Sequence, residues 1–221
     1  MCLIALSVEK ASDWNGKDSY FFKVIANRDE YHARQTTQMH WWSNKLILAG
    51  KDEEAGGTWL GTNRNGKFAA ITNLKEQNQI NYKSSRGALV TDFLESKQSA
   101  KAYLEQIEPI KEEFAGFNLI VGDKDGLFYL CNRLEGIYFI SEGTHALGNL
   151  TLNASTKKVD SIKNDFDDIL HEGFTAEKGF KIMKKEYGNL HEKSKEELAV
   201  RDGEEIPFRF IRSPIYGTRC T

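Results

Sequence analysis

The order in which strand-like and helix-like segments follow one another is the feature of this sequence that most constrains its fold. Strand patterns rich in β-branched and aromatic residues dominate residues 1–73, and two helical stripes of apolar residues follow between 86 and 108. Strand patterns return between 117 and 141, two more helical stripes follow, and residues 216–221 are again extended. Strands and helices segregated in this way predict two antiparallel sheets with helices on their outer faces.

An Asn-Gly pair at positions 65 and 66 predicts a type I′ hairpin turn. The turn would pair residues 58–62 with 67–72 and place Asn73 at the end of the return strand. The first of these strands belongs to the segment Gly56-Gly57-Thr58-Trp59-Leu60-Gly61. Glycines on both sides of an aromatic and aliphatic centre indicate a backbone that bends tightly or is approached closely by another element.

Residues that commonly begin or end helices bound the helical segments. Pro109 is expected to end the second helix, because its ring cannot continue the hydrogen-bond pattern. Ser155 or Thr156 can cap the third helix, and Thr175 can cap the fourth. The fourth helix is expected to pack two apolar side chains into the core, Phe180 and Met183.

Composition limits the domain count and the class of partner. With 221 residues, 40% of them hydrophobic and 28% charged, the chain can form one core, so a single domain over residues 1–221 is expected. A net charge of -2 provides no basic field for a phosphate backbone, so nucleic acid is not an expected partner. The longest apolar runs fall far short of the roughly 20 residues that a membrane-spanning helix needs.

Cysteine usage indicates the compartment. The three cysteines are scattered and form no Cys-x-x-Cys pair, so neither a disulfide framework nor a structural metal is expected. The N-terminus does not resemble a secretory signal. We therefore expect a cytoplasmic protein, and the oligomeric state is left open.

Cys2 lies directly behind Met1 in the apolar segment 1–8. A residue this small at position 2 normally permits removal of Met1, which would leave a thiol and an α-amine on one residue. Their ordinary pKa values are about 8.5 and roughly 7.7–8.0, so a nucleophile and its general base could share that residue. The alternative is a small apolar residue buried in a first strand.

Four polar residues, Asn27-Arg28-Asp29-Glu30, follow the second predicted strand. Charged side chains at the end of a sheet are placed where catalytic groups can be held rigidly. The alternative is a solvated strand exit with a cluster of neighbouring charges.

Several of these segments together resemble the NRDE family, which includes the transport and Golgi organisation protein 2-like proteins. The resemblance covers residues 1–219 and rests on six segments in family order: Met1-Cys2-Leu3-Ile4, Asn27-Arg28-Asp29-Glu30, Gly56-Gly57-Thr58-Trp59-Leu60-Gly61, Thr72-Asn73, Phe117-Asn118-Leu119-Ile120 and Tyr216-Gly217-Thr218-Arg219. The family resembles the N-terminal nucleophile hydrolases. That likeness implies an α+β fold, specifically a four-layer αββα sandwich of two mainly antiparallel sheets.

Within that superfamily the choloylglycine hydrolase and penicillin V acylase branch is most similar. The resemblance implies that Cys2 is the nucleophile, that Arg28 or Asp29 is equivalent to the Arg or Asp that follows the second strand, and that asparagines stabilise an oxyanion. The full set of catalytic residues implied in this way is Cys2, Arg28, Asp29, Asn73, Asn149 and Arg219. One departure is the segment after Asn149, residues 150–155, which lacks the Pro-Trp usually found nearby.

The resemblance also implies haem trafficking, with the hydrolase-like fold serving as a carrier. The expectation favoured here is non-covalent, weak binding of haem or a similar apolar small molecule in the cytosol, with at most one axial ligand, because no Cys-x-x-Cys-His motif is present. Tryptophans would supply an apolar wall and a histidine would approach the iron, the candidates being Trp41, Trp42, Trp59, His32, His40 and His145. The alternatives are an amidohydrolase that cleaves linear or N-acyl amide bonds and a protein that handles acyl-lipids or acyl-CoA.

Overall fold

The structure, a computed structural model, describes residues 2–12, 18–43, 46–74, 85–185, 209–211 and 215–220. These residues form eleven strands, four α-helices and one 3-10 helix. The strands belong to a four-stranded sheet and a seven-stranded sheet. They fall in two compact units, which are described in turn: residues 1–7, 23–33 and 144–221 form the first unit, and residues 8–22 and 34–143 form the second.

The four-stranded sheet contains the beginning and the end of the described chain. Its strands are β1 (Cys2–Ser12), β2 (Asp18–Tyr31), β10 (Gly143–Leu147) and β11 (Tyr216–Cys220). Their order across the sheet is β10-β1-β2-β11, and β11 runs antiparallel to β2. The first strand therefore lies inside the sheet rather than at its edge.

Two helices of the first unit pack on one face of the four-stranded sheet. They are α3 (Lys157–His171) and α4 (Ala176–Met183), capped by Thr156 and Thr175 respectively. Each capping hydroxyl accepts a hydrogen bond of 3.2 Å from a backbone N–H in the first turn, so the predicted caps are confirmed. The core under these helices consists of Leu3, Ala5, Ala146, Val159, Ile162, Phe166, Ile169 and Met183.

The seven-stranded sheet of the second unit is antiparallel throughout. Its strands, in their order across the sheet, are β3 (Thr36–Trp41), β4 (Ile47–Asp52), β5 (Leu60–Asn63), β6 (Phe68–Asn73), β7 (Phe117–Asp123), β8 (Gly126–Cys131) and β9 (Tyr138–Ile140). Helices α1 (Arg86–Glu95) and α2 (Ala100–Ile107) cover one face. As predicted, α2 ends before Pro109, which lies in the 3-10 helix Glu108–Glu113.

Three details of the sequence-based prediction are wrong. The segment Asn27–Glu30 lies inside β2 and not beyond its end, because β11 pairs with it and prolongs the strand to Tyr31. The turn between β5 and β6 is not type I′, because Gly66 alone has a positive φ and Asn63 Oδ1 organises the loop by accepting from the backbone of Asn65 and Lys67. Phe180 is 48% exposed and is not a core residue, whereas Met183 is fully buried.

The described helices include none that is both long and apolar enough to cross a lipid bilayer.

Candidate functional site

Cys2 begins β1 and is buried, with 8% of its surface exposed. The next residues on the strand fix the direction of its side chain. Leu3 and Ala5 pack under α3 and α4, and side chains alternate between the two faces of a strand. Cys2 and Ile4 therefore point to the face of the four-stranded sheet that is turned away from these helices.

Arg28 shares that face with Cys2. On β2, Asn27 donates from Nδ2 to the backbone oxygen of Met183 at the end of α4, over 2.9 Å. Asp29 meets the side chain of Lys158 on α3. Because residues 27 and 29 point towards the helices, Arg28 and Glu30 point the other way, where Arg28 Nη2 lies 3.2 Å from Glu30 Oε2. The Arg28 guanidinium thus lies on the same face of the sheet as the Cys2 thiol, on the neighbouring strand.

Asp29 is buried and held by two neighbouring elements. Its Oδ2 lies 3.5 Å from Nζ of Lys158, and both side chains are about 1% exposed or less. Its Oδ1 accepts a hydrogen bond of 2.6 Å from the hydroxyl of Thr218 on β11. The hydroxyl of Tyr216 donates to the backbone oxygen of Asp29 over 3.2 Å. A buried carboxylate needs such partners, because an unpaired buried charge is strongly destabilising.

The pairing of β2 with β11 brings two distant motifs into direct register. Tyr216 lies opposite Tyr31, Gly217 opposite Glu30, and Thr218 opposite Asp29. The register then shifts, so that Cys220 faces Arg28 and the backbone of Arg219 forms the extra residue of a bulge. The late motif of the sequence therefore lies beside the Asn27–Glu30 segment, as expected if both contribute to one site.

Burial raises the pKa of the Cys2 thiol to about 11. The negative charge of Asp29 acts in the same direction, whereas Arg28 and Lys158 favour the thiolate and lower the pKa. Burial also raises the pKa of the Tyr216 phenol, with Asp29 and Cys2 among the smaller contributors. At neutral pH the thiol therefore keeps its proton unless a base removes it during the reaction.

The remaining predicted catalytic residues are distributed over both units. Asn149 follows β10 in the first unit, is half-buried, and has its Oδ1 shielded from solvent. Asn73 ends β6 in the second unit and is exposed. The side chain of Arg219 lies outside the described residues. Convergence of Asn73 and Arg219 with Cys2 therefore stays a prediction.

The predicted haem-binding residues occupy several separate positions. His32 and His145 belong to the first unit, where the His32 ring lies against Gly217 and His145 Nδ1 is 2.9 Å from Asn153 Nδ2. His40 and Trp41 are adjacent on β3 of the second unit, and the guanidinium of Arg64 lies 4.0 Å from the centre of a Trp41 ring. Trp42 and Trp59 pack against the core under α1 and α2.

In the described part of the chain, no three or more His, Cys, Asp and Glu side chains are arranged so that they could hold a metal ion.

Sequence reasoning missed three residues that contact Asp29. Thr218 and Tyr216 belong to a motif that was recognised, but only the strand pairing shows what they contact. The burial of Lys158 could have been predicted, because it precedes Ile162 and Phe166 on the buried face of α3 at a spacing of four residues. A lysine on an apolar helical stripe indicates a buried charge that needs a partner.

Comparisons with known proteins agree with this description. A model of the family described as Transport and Golgi organisation 2 matches residues 1–221. The human Transport and Golgi organization protein 2 homolog is 36% identical over 154 residues, which cover 65% of this chain and 55% of the human protein. The mouse homolog is 35% identical over 153 residues, with the same coverage. The chain thus spans about half the length of the curated relatives that it matches.

A solved structure shares the fold. The N-acylethanolamine-hydrolyzing acid amidase ortholog of Caenorhabditis elegans matches 82% of this chain and 86% of its own, with a TM-score of 0.53 and 11% identity. At that identity the likeness concerns the fold alone, and it confirms the predicted α+β, N-terminal nucleophile hydrolase-like class with its two mainly antiparallel sheets. Because the family model matches the chain over its whole length, this protein is a member of the Transport and Golgi organisation 2 family.

Proposed function

We propose that this protein is an N-terminal-cysteine amidohydrolase that cleaves the C–N bond of N-acyl amides. One observation carries the proposal: the buried thiol of Cys2 begins an inner strand, with the guanidinium of Arg28 on its own face and the buried carboxylate of Asp29 on the neighbouring strand. A nucleophile, a cation and a carboxylate arranged on two adjacent strands suit attack on a carbonyl. The substrate class follows the activity for which the amidase that shares the fold is named.

In the proposed reaction, Cys2 Sγ attacks the carbonyl carbon of the amide. Its proton passes to the α-amine of Cys2, which removal of Met1 makes available, and from there to the leaving nitrogen as the C–N bond breaks. Water then cleaves the thioester, releasing the carboxylic acid and restoring the thiol. A thiol pKa of about 11 makes this proton transfer necessary, because few molecules carry a thiolate near neutral pH.

Residues near Cys2 support these steps. Asp29, fixed by Lys158 and Thr218, would orient the α-amine, and Arg28 would stabilise negative charge on the sulfur or on a substrate carboxylate. Asn73 or Asn149 would donate to the oxyanion, as the family resemblance implies. The scattered cysteines favour the reducing cytosol as the place of action.

The test combines the mass of the purified protein with its activity. We expect the intact mass to lack one methionine, and we expect the protein to release fatty acid from N-acyl amino acids and N-acylethanolamines. Cys2→Ala should abolish the release, whereas Cys131→Ala, which alters another buried cysteine, should retain it. Full activity in Cys2→Ala, or the absence of hydrolysis by protein that has lost Met1, would overturn the proposal.

Haem carriage is a second proposal, and the exposed surface of β3 favours it. Trp41 is 38% exposed and Met39, on the same face, is 50% exposed, while the Arg64 guanidinium lies over the Trp41 ring. An apolar surface beside a cation suits a planar porphyrin that carries carboxylates. His40 lies between Met39 and Trp41 and therefore points to the other face of the strand, with its Nδ1 2.7 Å from the backbone oxygen of Gln38, so it provides a matched control for this surface.

Haem titration monitored by the Soret band tests this second proposal. We expect Trp41→Ala and Arg64→Gln each to weaken binding severalfold, because the contact is mainly packing and charge. His40→Ala, which alters the other face of β3, and His171→Ala on the exposed side of α3 should change neither the spectrum nor the binding. Equal binding by all four variants and the parent protein would exclude β3 as the haem site.

A further inference from the structure

Lys158 occupies a position that the stability of its helix does not explain. It lies in the first turn of α3, where the positive end of the helix dipole disfavours a cation. It is also 1% exposed, although lysine is rarely buried unless it is paired. The adjacent Lys157, in the same turn, is exposed. A lysine placed against both preferences is expected to serve a specific negative partner.

That partner is Asp29 of β2, 3.5 Å from the ammonium. Other charged and titratable groups lie near the pair on each neighbouring strand: Cys2 on β1, Arg28 and Glu30 on the opposite face of β2, and Tyr216 on β11. The phenol of Tyr216 donates to the backbone of Asp29, and Arg28 lies beside Glu30. Lys158 lies on the same side of the sheet as the Asp29 carboxylate and within salt-bridge distance of it.

We propose that Lys158 is a positioning residue of the Cys2 site, whose ammonium holds Asp29 in place and offsets its negative charge at the thiol. The role in hydrolysis rests on the proposed function, whereas the effect on the thiol does not. Asp29 is then fixed from two sides, by Lys158 of α3 and by Thr218 of β11. The charges around Cys2 agree with this role of Lys158, because Asp29 raises the pKa of the thiol and Lys158 lowers it.

The rate of Cys2 alkylation by iodoacetamide, followed by peptide mass spectrometry between pH 7.5 and 10, tests the effect on the thiol. In Lys158→Met the negative charge of Asp29 is no longer offset by the ammonium, so the thiol pKa should rise. We expect alkylation about 3- to 10-fold slower, which corresponds to roughly half to one pKa unit. Lys158→Arg should react like the parent protein, and so should the exposed control Lys157→Met.

The double variant Asp29→Asn/Lys158→Met separates charge from packing. Because both charges are removed together, we expect its alkylation rate to return to within about twofold of the parent rate. A merely structural lysine would behave differently, since its loss would loosen the packing and make Cys2 react faster in both variants. Faster alkylation of Lys158→Met, or no recovery in the double variant, would overturn the proposal. Should Lys158→Met not fold, the double variant and Lys158→Gln provide the comparison.

Hydrolysis gives the second readout. Without the ammonium the Asp29 carboxylate is held less firmly, so kcat in Lys158→Met should fall while KM changes little, and Lys158→Arg should restore kcat. An unchanged kcat in Lys158→Met contradicts the positioning role. If the parent protein hydrolyses nothing, the proposed function fails while the alkylation result still decides the effect on the thiol.

Discussion

Two opposing influences act on the Cys2 side chain. Burial, the largest effect, and the charge of Asp29 favour the neutral thiol, while the positive charge of the N-terminus and, more weakly, Arg28 and Lys158 favour the thiolate. The result is a cysteine that is poorly reactive on its own in the folded chain. The thiol would then react only when a base removes its proton during attack on the substrate. This requirement limits side reactions with oxidants and electrophiles.

This balance predicts slow alkylation of the folded protein. With the thiol pKa raised from 9.0 to about 11, the thiolate fraction at pH 8 falls roughly a hundredfold, and it recovers as the pH rises towards 11. We expect native Cys2 to react with iodoacetamide between about ten and a hundred times more slowly than in urea-unfolded protein. Peptide mass spectrometry at several pH values provides the measurement. Equal rates in both states would show that burial does not suppress the thiol.

At the scale of single elements, the first turn of α3 positions Lys158, so its cap matters for the site. Thr156→Ala removes the hydroxyl that accepts from the backbone N–H of Val159, and we expect the free energy of unfolding to fall by about 1 kcal/mol. The adjacent Ser155 is exposed and donates to Asp160 instead, so Ser155→Ala should cost less than about 0.5 kcal/mol. Urea unfolding of both variants gives the comparison, and an equal loss would argue against the cap.

The glycines of the segment 56–61 were expected to allow a close approach, and this is confirmed at Gly57. A Cβ added there would lie 3.0 Å from the backbone of Gly87 in α1, whereas a Cβ on Gly87 would meet ordinary contacts of 3.4 to 3.6 Å. We expect Gly57→Ala to destabilise the protein by about 1–3 kcal/mol. Gly87→Ala should be neutral or stabilising, because alanine favours a helix. Thermal unfolding distinguishes the two, and a stable Gly57→Ala protein would contradict the packing argument.

The sequence predicts the helices and strands better than the contacts between them. Periodicity located all four helices, and cap and breaker residues located the end of α2 and the starts of α3 and α4, because these features depend on neighbouring residues. The position of Asn27–Glu30 within β2 was missed, because it is decided by pairing with β11 at the other end of the chain. The apolar stripe of α3 indicates that Lys158 is buried, but its partner was missed for the same reason, since Asp29 lies far away in the sequence. Interactions of this kind leave little local pattern.

At the scale of the whole molecule, the proposed chemistry requires residues from distant parts of the chain. Asn73, at the end of β6, is predicted by the family resemblance to donate to the oxyanion. We expect Asn73→Ala to lower kcat by about 10²- to 10³-fold with little change in the free energy of unfolding, since its side chain is exposed. Asn164→Ala, on the exposed side of α3, serves as the control. Unchanged kcat in Asn73→Ala would remove this residue from the site.

The pairing of β2 with β11 also decides when the site can exist during synthesis. Thr218 and Asp29 are 189 positions apart, and contacts between such distant segments form late because a long loop must close first. Cys2 and Asp29 both leave the ribosome long before β11, the strand that fixes Asp29. A nascent chain therefore carries its thiol without the surroundings that control it until β11 has been made, and the pairing of β11 with β2 is the step that would complete the site.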